Sequence, residues 1–288
     1  MSGRDRNHRV SRRVMRVLGG AAALAALPAV LSVRPAMAAR PCYGDCQPGV
    51  VRSAGVLKYD APVGVDDQIT VSAAGGFLTV ADPTATLTVG AGCTLVTSHE
   101  ARCASANVGS MVVRGLDGDD VITNSTGLAA RLMGGDGDDR LVGGSGDDTL
   151  VGGFGGDLLR GGAGSDTVAY SEVSNRLGVR ADLDGATGDD GSSEDGPAGA
   201  RDTIAADVEN LEGTNADDVL IGDAGPNVIN ASNGHDLIQG LGGDDRLTGR
   251  GGGTLDGGAG ADRCTSDLRG LLETVDTFSG CETTEIVT

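Results

Sequence analysis

The sequence predicts an all-β chain folded as a solenoid of short strands, and three observations predict it. The run Gly134-Gly135-Asp136-Gly137-Asp138-Asp139-Arg140-Leu141-Val142 is followed without a break by residues 143–151 and 152–160, which repeat its nine-residue order of glycine, aspartate and aliphatic. A large aliphatic residue then keeps one phase of that period along two stretches of chain. Finally, three Phe, three Tyr and no Trp cannot build a conventional globular core for 288 residues. A solenoid does without one, because each turn buries only a few aliphatics against its neighbours.

Residues 1–38 predict an export signal. Arg4, Arg6, Arg9, Arg12, Arg13 and Arg16 precede an apolar stretch from Val17 to Val33, which Gly19, Gly20 and Pro28 interrupt, and Ala36-Met37-Ala38 follows. A basic, an apolar and a small-residue region in that order predict cleavage after Ala38 and a secreted, extracellular protein. The apolar stretch is too interrupted for a membrane anchor, and Arg12-Arg13 resembles a twin-arginine signal. Residues 39–113 carry alternating runs such as Gln68-Ile69-Thr70-Val71, Phe77-Leu78-Thr79-Val80 and Thr86-Leu87-Thr88-Val89. These predict short strands between glycine turns. The segment either caps the solenoid as a continuation of it or forms a small β-domain of its own.

Residues 114–171 make the first repeat array. Each unit divides into a six-residue turn and a three-residue strand. Glycines at the first, second and fourth places allow the positive φ that a tight coil needs. The sixth-place aspartate adds a carboxylate, and the eighth-place side chain turns inward. The array starts at Gly115, with Asp120 and Ile122, and ends with Asp166 and Val168. The unit from Ser125 to Met133 keeps Leu132 but has Ala130 in the aspartate's place, so it is ligand-poor. Residues 172–212 form an acidic, glycine-rich stretch with Pro197, expected to be a mobile excursion, after which Val208 and Leu211 resume the apolar file.

Residues 213–265 make the second array, with Asp218 and Leu220, Asn227 and Ile229, Asp236 and Ile238, then Asp245 and Leu247. The unit from Gly249 to Asp256 is one residue short and lacks the aspartate, and the last unit recovers Asp262 but puts Cys264 in the aliphatic place. Residues 266–288 are expected to cover the open edge of the final strand. A flexible acidic linker would share this composition. It would have no reason to hold Leu, Ile and Val in one phase.

The pattern G-G-x-G-x-D-x-U-x, with U a large aliphatic, resembles the RTX, or haemolysin-type, calcium-binding repeat family. Residues 114–171 and 213–265 carry the resemblance. It implies a parallel β-roll or β-helix solenoid built from calcium-binding nonapeptide repeats, with two repeats per turn and each ion between repeats i and i+2. Carried onto this chain, the ion-sharing pairs are Asp120 with Asp139, Asp139 with Asp157, Asp148 with Asp166, Asp218 with Asp236, Asn227 with Asp245, and Asp245 with Asp262. Carboxylates and inward carbonyls are hard oxygen ligands, which suit Ca2+. Because of Ala130, Asn227 and the short unit, fewer ions than repeats are expected.

The six cysteines all follow the signal, and an even count in an exported chain predicts disulfides. Sequence neighbours favour Cys42 with Cys46, Cys93 with Cys103, and Cys264 with Cys281. A zinc site would need close cysteine pairs or histidines with ligand spacing, which His99 and His235 lack. Removing residues 1–38 takes away seven arginines and one aspartate and moves the net charge from -19 to -25. Such a chain is repelled by nucleic acid and anionic membranes, so neither is an expected partner.

Secreted proteases and lipases often carry such repeats, so catalytic motifs matter here. His99-Glu100 is followed by Ala101, Arg102 and Cys103, which leaves a zinc-protease helix motif without its second histidine. No G-x-S-x-G elbow occurs. The expectation is a secreted calcium-binding protein, not an enzyme, in which the ion is structural. Two alternatives are a hydrolase or lyase acting on extracellular polysaccharide, against which the scarcity of aromatics argues, and a cell-surface adhesion module.

Overall fold

The computed structural model describes residues 49–171, 177–193, 195–269 and 275–288. The export signal and the pairing of Cys42 with Cys46 lie outside the described residues. Among the described residues there is no helix. Short strands stack in parallel as a β-solenoid of about nine turns.

The nonapeptide dictates this arrangement locally. In the strand Arg140–Gly144, Leu141 is buried while Arg140 is exposed, the two-residue alternation of a strand with one face inward. Its neighbours in the stack lie one full turn away. Ile122 is in register with Leu141, and Leu141 with Leu159. On the opposite face Leu132 pairs with Leu150, and Leu150 with Val168. Alternate repeats therefore supply alternate faces, and all six residues are fully buried. A side chain of this size stabilises by about 1.5–3 kcal/mol when fully buried, so the aliphatic file is the roll's hydrophobic core.

The turns need glycine for steric reasons at particular places. Gly135 has φ +132°, and a β-carbon there would lie 2.0 Å from the Leu116 carbonyl oxygen of the turn beneath. Gly137 has φ +150° and the same 2.0 Å approach to the Gly118 oxygen. Leu116 and Leu241 occupy the second place of their turns with φ +85° and +71°, a conformation costly for a residue with a β-carbon.

One eleven-stranded sheet runs from Gly49–Ser53 to Thr283–Val287, while the opposite face is divided between an eight-stranded and a five-stranded sheet. The division falls in the acidic stretch. Thr203–Ile204 closes the eight-stranded sheet beside Leu158–Gly162, and Arg180–Asp182 opens the five-stranded sheet beside Val219–Ile221. The intervening residues fold back onto the roll. Asp190 bridges the seam, its Oδ1 accepting from the Asp182 amide (2.8 Å) and its Oδ2 from the Ile204 amide (3.0 Å). Asp190, Asp195 and Asp202 are buried. Within the excursion expected at residues 172–212, the Asp190 carboxylate thus takes amides from both sides of the seam.

At the N-terminal end Val56–Asp60 and Gln68–Ala74 pair in parallel with Ser110–Asp117 and Val121–Ser125, so they add rungs to the solenoid. Antiparallel partners then follow in the spatial order Phe77–Ala81, Glu100–Ala104 and Cys93–Thr97, the last forming the edge. Cys93 is disulfide-bonded to Cys103, directly opposite in that register. At the other end Cys264, buried in the aliphatic place, is bonded to Cys281 across 17 residues. Closing a loop of that length stabilises by about 3 kcal/mol in the chain-entropy account. Two of the three sequence-neighbour pairings are therefore present.

Candidate metal centre

Because each sixth-place residue directly precedes a stacked strand, the register that aligns the aliphatics also aligns the carboxylates into columns. One column contains Asp67, Asp120, Asp139, Asp157 and Asp202. Each residue's main-chain amide donates to one carboxylate oxygen of the next: Asp67 to Asp120 at 2.7 Å, Asp120 to Asp139 and Asp139 to Asp157 at 2.8 Å, and Asp157 to Asp202 at 3.0 Å. On the other side Ala130, Asp148, Asp166 and Glu209 are linked in the same way, at 2.7, 2.9 and 2.8 Å. Asn227, Asp245, Asp262 and Glu282 follow, at 2.8, 2.8 and 2.7 Å. A third column, in the five-stranded sheet's half, joins Asp218 to Asp236 at 2.9 Å.

All six pairs that the resemblance implies are brought together by these links. Asp67, Asp202, Glu209 and Glu282 also join the columns, although nothing in the repeat pattern identified them. A signal for Asp67 does exist. Asp66-Asp67-Gln68-Ile69-Thr70 parallels Asp119-Asp120-Val121-Ile122-Thr123 position by position. Asp202-Thr203-Ile204 and Glu209-Asn210-Leu211 likewise place an acidic residue two before an aliphatic.

One oxygen of each carboxylate holds the next amide; the other carries the chemistry. The Oδ2 atoms of Asp67, Asp120, Asp139, Asp148, Asp157, Asp166, Asp236, Asp245 and Asp262 are buried without a hydrogen-bond partner. An ionised carboxylate in that situation is expensive unless a positive charge meets it. In the repeats the Oδ2 atoms of Asp120, Asp139, Asp148, Asp157, Asp166, Asp245 and Asp262 lie over the first glycine of their own units, whereas the unit of Asp236 opens with Ala231. A β-carbon on Gly134 would be 2.0 Å from Asp139 Oδ2 and 2.7 Å from the Gly152 carbonyl oxygen; on Gly240, 2.1 Å from Asp245 Oδ2 and 2.6 Å from the Gly257 oxygen. Only glycine leaves this space open. Carboxylate and carbonyl oxygens of successive turns converge there, a donor set of hard oxygens that fits calcium.

Two predicted ligands differ from the rest. The Thr214 amide donates to Asp218 Oδ2 at 2.7 Å and the Thr214 hydroxyl to Asp218 Oδ1 at 2.9 Å, so both oxygens already have protein donors. Asn227 Oδ1 accepts from the Asp223 amide (2.9 Å), and its Nδ2 donates to the Glu209 carbonyl (2.8 Å). The amide group of Asn227 closes its rung by hydrogen bonds alone. Ala130 has no side chain to offer, but its amide keeps the link to Asp148.

The electrostatics follow from burial. Desolvation pushes the carboxyls of Asp120, Asp139 and Asp157 up to about 8, the negative charge of the next residue in the column adds to the rise, and the accepted amide bond opposes it. The same causes bring Asp148 and Asp236 to about 7, and Asp166 and Asp245 to about 6. Without a cation Asp120, Asp139 and Asp157 hold protons near neutrality; a divalent cation would take over that role.

The fold and the columns define a class: a parallel β-roll whose turns present stacked, buried carboxylates to hard cations. Residues 133–168 and 212–247 match the RTX calcium-binding nonapeptide repeat family, in four copies. No curated protein matches the chain. These two segments are RTX-type calcium-binding repeats, and on a β-solenoid they support a calcium-binding structural role.

Proposed function

We propose that this is an exported, non-enzymatic protein whose roll takes up calcium as a condition of folding. The observation that carries the reading is the row of buried Oδ2 atoms without partners, with a carbonyl oxygen of the following turn beside those of Asp120, Asp139, Asp148, Asp166, Asp245 and Asp262. Asp120, Asp139, Asp148, Asp157, Asp166, Asp236, Asp245 and Asp262 hold the ions in this reading, while Asp218 and Asn227 close their rungs through protein hydrogen bonds. Calcium supplies positive charge between turns. The chain supplies register, through the amide links, and exclusion of water, through the stacked aliphatics. Export is supported by the basic and apolar order of residues 1–38 and by the disulfides Cys93–Cys103 and Cys264–Cys281. Extracellular calcium is abundant, and half-saturation on the order of 10⁻⁴ to 10⁻³ M suits a module living there.

The test is calcium bound per chain, counted by equilibrium dialysis. Asp139→Asn keeps an acceptor for the Asp120 amide but loses the charge, and is expected to bind less calcium than the unaltered protein. Asp218→Asn is expected to bind the same amount. Equal binding by Asp139→Asn and the unaltered chain would contradict the assignment.

A further inference from the structure

We propose a calcium site outside the repeats, formed by Asp67 and Asp120 with Asp82 beside them, where the N-terminal strands meet the roll. Parallel pairing of Gln68 with Val121 and Ile69 with Ile122 places Asp67 opposite Asp120 and Asp66 opposite Asp119. The links are those of a repeat. The Asp67 amide donates to Asp120 Oδ1 (2.7 Å), and the Asp119 amide donates to Asp66 Oδ1 (3.0 Å), as the Asp138 amide does to Asp119 Oδ1 (2.9 Å). Residues 62–70 thus form a turn of the roll although they lack the repeat's leading glycines, Pro62 standing at the first place.

Asp67 is fully buried and its Oδ2 has no hydrogen-bond partner, as in the repeats. Its surroundings add negative charge. Asp82 is also fully buried, and the Thr84 hydroxyl lies 2.9 Å from Asp67 Oδ1 and 2.6 Å from Asp82 Oδ1. That hydroxyl has one proton and can serve only one of the two carboxylates at a time. The Tyr59 hydroxyl donates to Asp82 Oδ2 at 2.7 Å. The hydrogen bonds that reach Asp67, Asp82 and Asp120 come from hydroxyls and amides, with no Lys, Arg or His among those donors. Buried negative charge gathered this closely calls for a compensating cation. The opposite end of the column is finished differently: Asp202 Oδ2 accepts from the buried Tyr170 hydroxyl at 3.0 Å, so a protein donor stands at that oxygen. The ion at Asp67 would fasten the N-terminal strands to the first repeat.

This site rests on the calcium reading of the repeats, and the experiment separates the two. Calcium bound per chain is counted for the full mature protein and for Asp67→Asn by equilibrium dialysis, with circular dichroism to show that both are folded. One ion fewer in Asp67→Asn supports the site. Equal counts overturn it and leave the repeat reading intact, whereas an unaltered protein that binds no calcium overturns the repeat reading itself. Should Asp67→Asn fail to fold, Asp82→Asn serves in its place: weakened binding of one ion supports the site, and an unchanged isotherm overturns it.

Discussion

Acid should substitute for calcium in keeping the roll folded. Asp139 shows why. Its carboxyl rises from 3.8 to about 8 in the folded, cation-free chain, because it is buried and because Asp157 lies next in the column. A folded-state value above the unfolded one means that the folded chain holds a proton the unfolded chain releases. The associated stability is present below the unfolded value and is lost as pH rises through the folded one. At pH 7 the cost relative to acid is roughly 4 kcal/mol for Asp139 alone, from about three units at 1.36 kcal/mol each. Asp120 and Asp157 are displaced to a similar degree. These groups are coupled, so their costs do not simply add, but together they rival the 5–15 kcal/mol that a whole domain typically has. Chelated protein should therefore keep its β signal near pH 5 and lose it between about pH 6 and about pH 8. Far-ultraviolet circular dichroism across that range, with light scattering to detect association, reads the effect. A chelated chain with more β structure at the alkaline end than at the acid end would refute the reasoning.

Two further outcomes follow from the turns and the leader. Gly135→Ala places a β-carbon at φ +132° and 2.0 Å from the Leu116 oxygen, so it should destabilise the calcium-loaded roll by on the order of 1–3 kcal/mol. Leu241→Gly, at an exposed position with φ +71°, should stabilise by about 1 kcal/mol; thermal melts of both variants check the pair, and a stabilising Gly135→Ala or a destabilising Leu241→Gly would contradict the turn geometry. The exported protein should begin at Ala39, and N-terminal sequencing that read Met1 would contradict the export reading.

The repeats made much of this structure legible, because glycine, carboxylate and aliphatic each recur for a separate physical reason and all three agree. The aliphatic places within each array needed little more than counting in nines, and the six carboxylate pairs followed from the resemblance to the repeat family. What counting missed lies where the spacing breaks. Asp67 precedes Asp120 by 53 residues, Asp202 follows Asp157 by 45, and Glu209 follows Asp166 by 43, although neighbours within an array are separated by 17 to 19. A strand returning after an excursion rejoins the stack in register, because only register buries its aliphatic. The sequence distance says nothing about that. Composition is also silent about the contacts made within residues 182–202. There Asp190 binds amides from both sheets and closes the seam. Asp218 differs from its counterparts in a way the pattern does not show: Thr214, four residues earlier, is an ordinary residue until its amide and hydroxyl are seen on the carboxylate.

The most direct test of calcium-linked folding is a calcium titration of the chelated mature chain at about pH 8, followed by circular dichroism and small-angle scattering together. The carboxylate columns then carry their charge, and the aliphatic file must offset both repulsion and the ordering of glycine-rich turns. Binding and folding are predicted to be one linked transition, with β signal and compactness rising together, and half-complete at on the order of 10⁻⁴ to 10⁻³ M calcium. A chain already compact and fully β-structured before calcium is added would contradict the account.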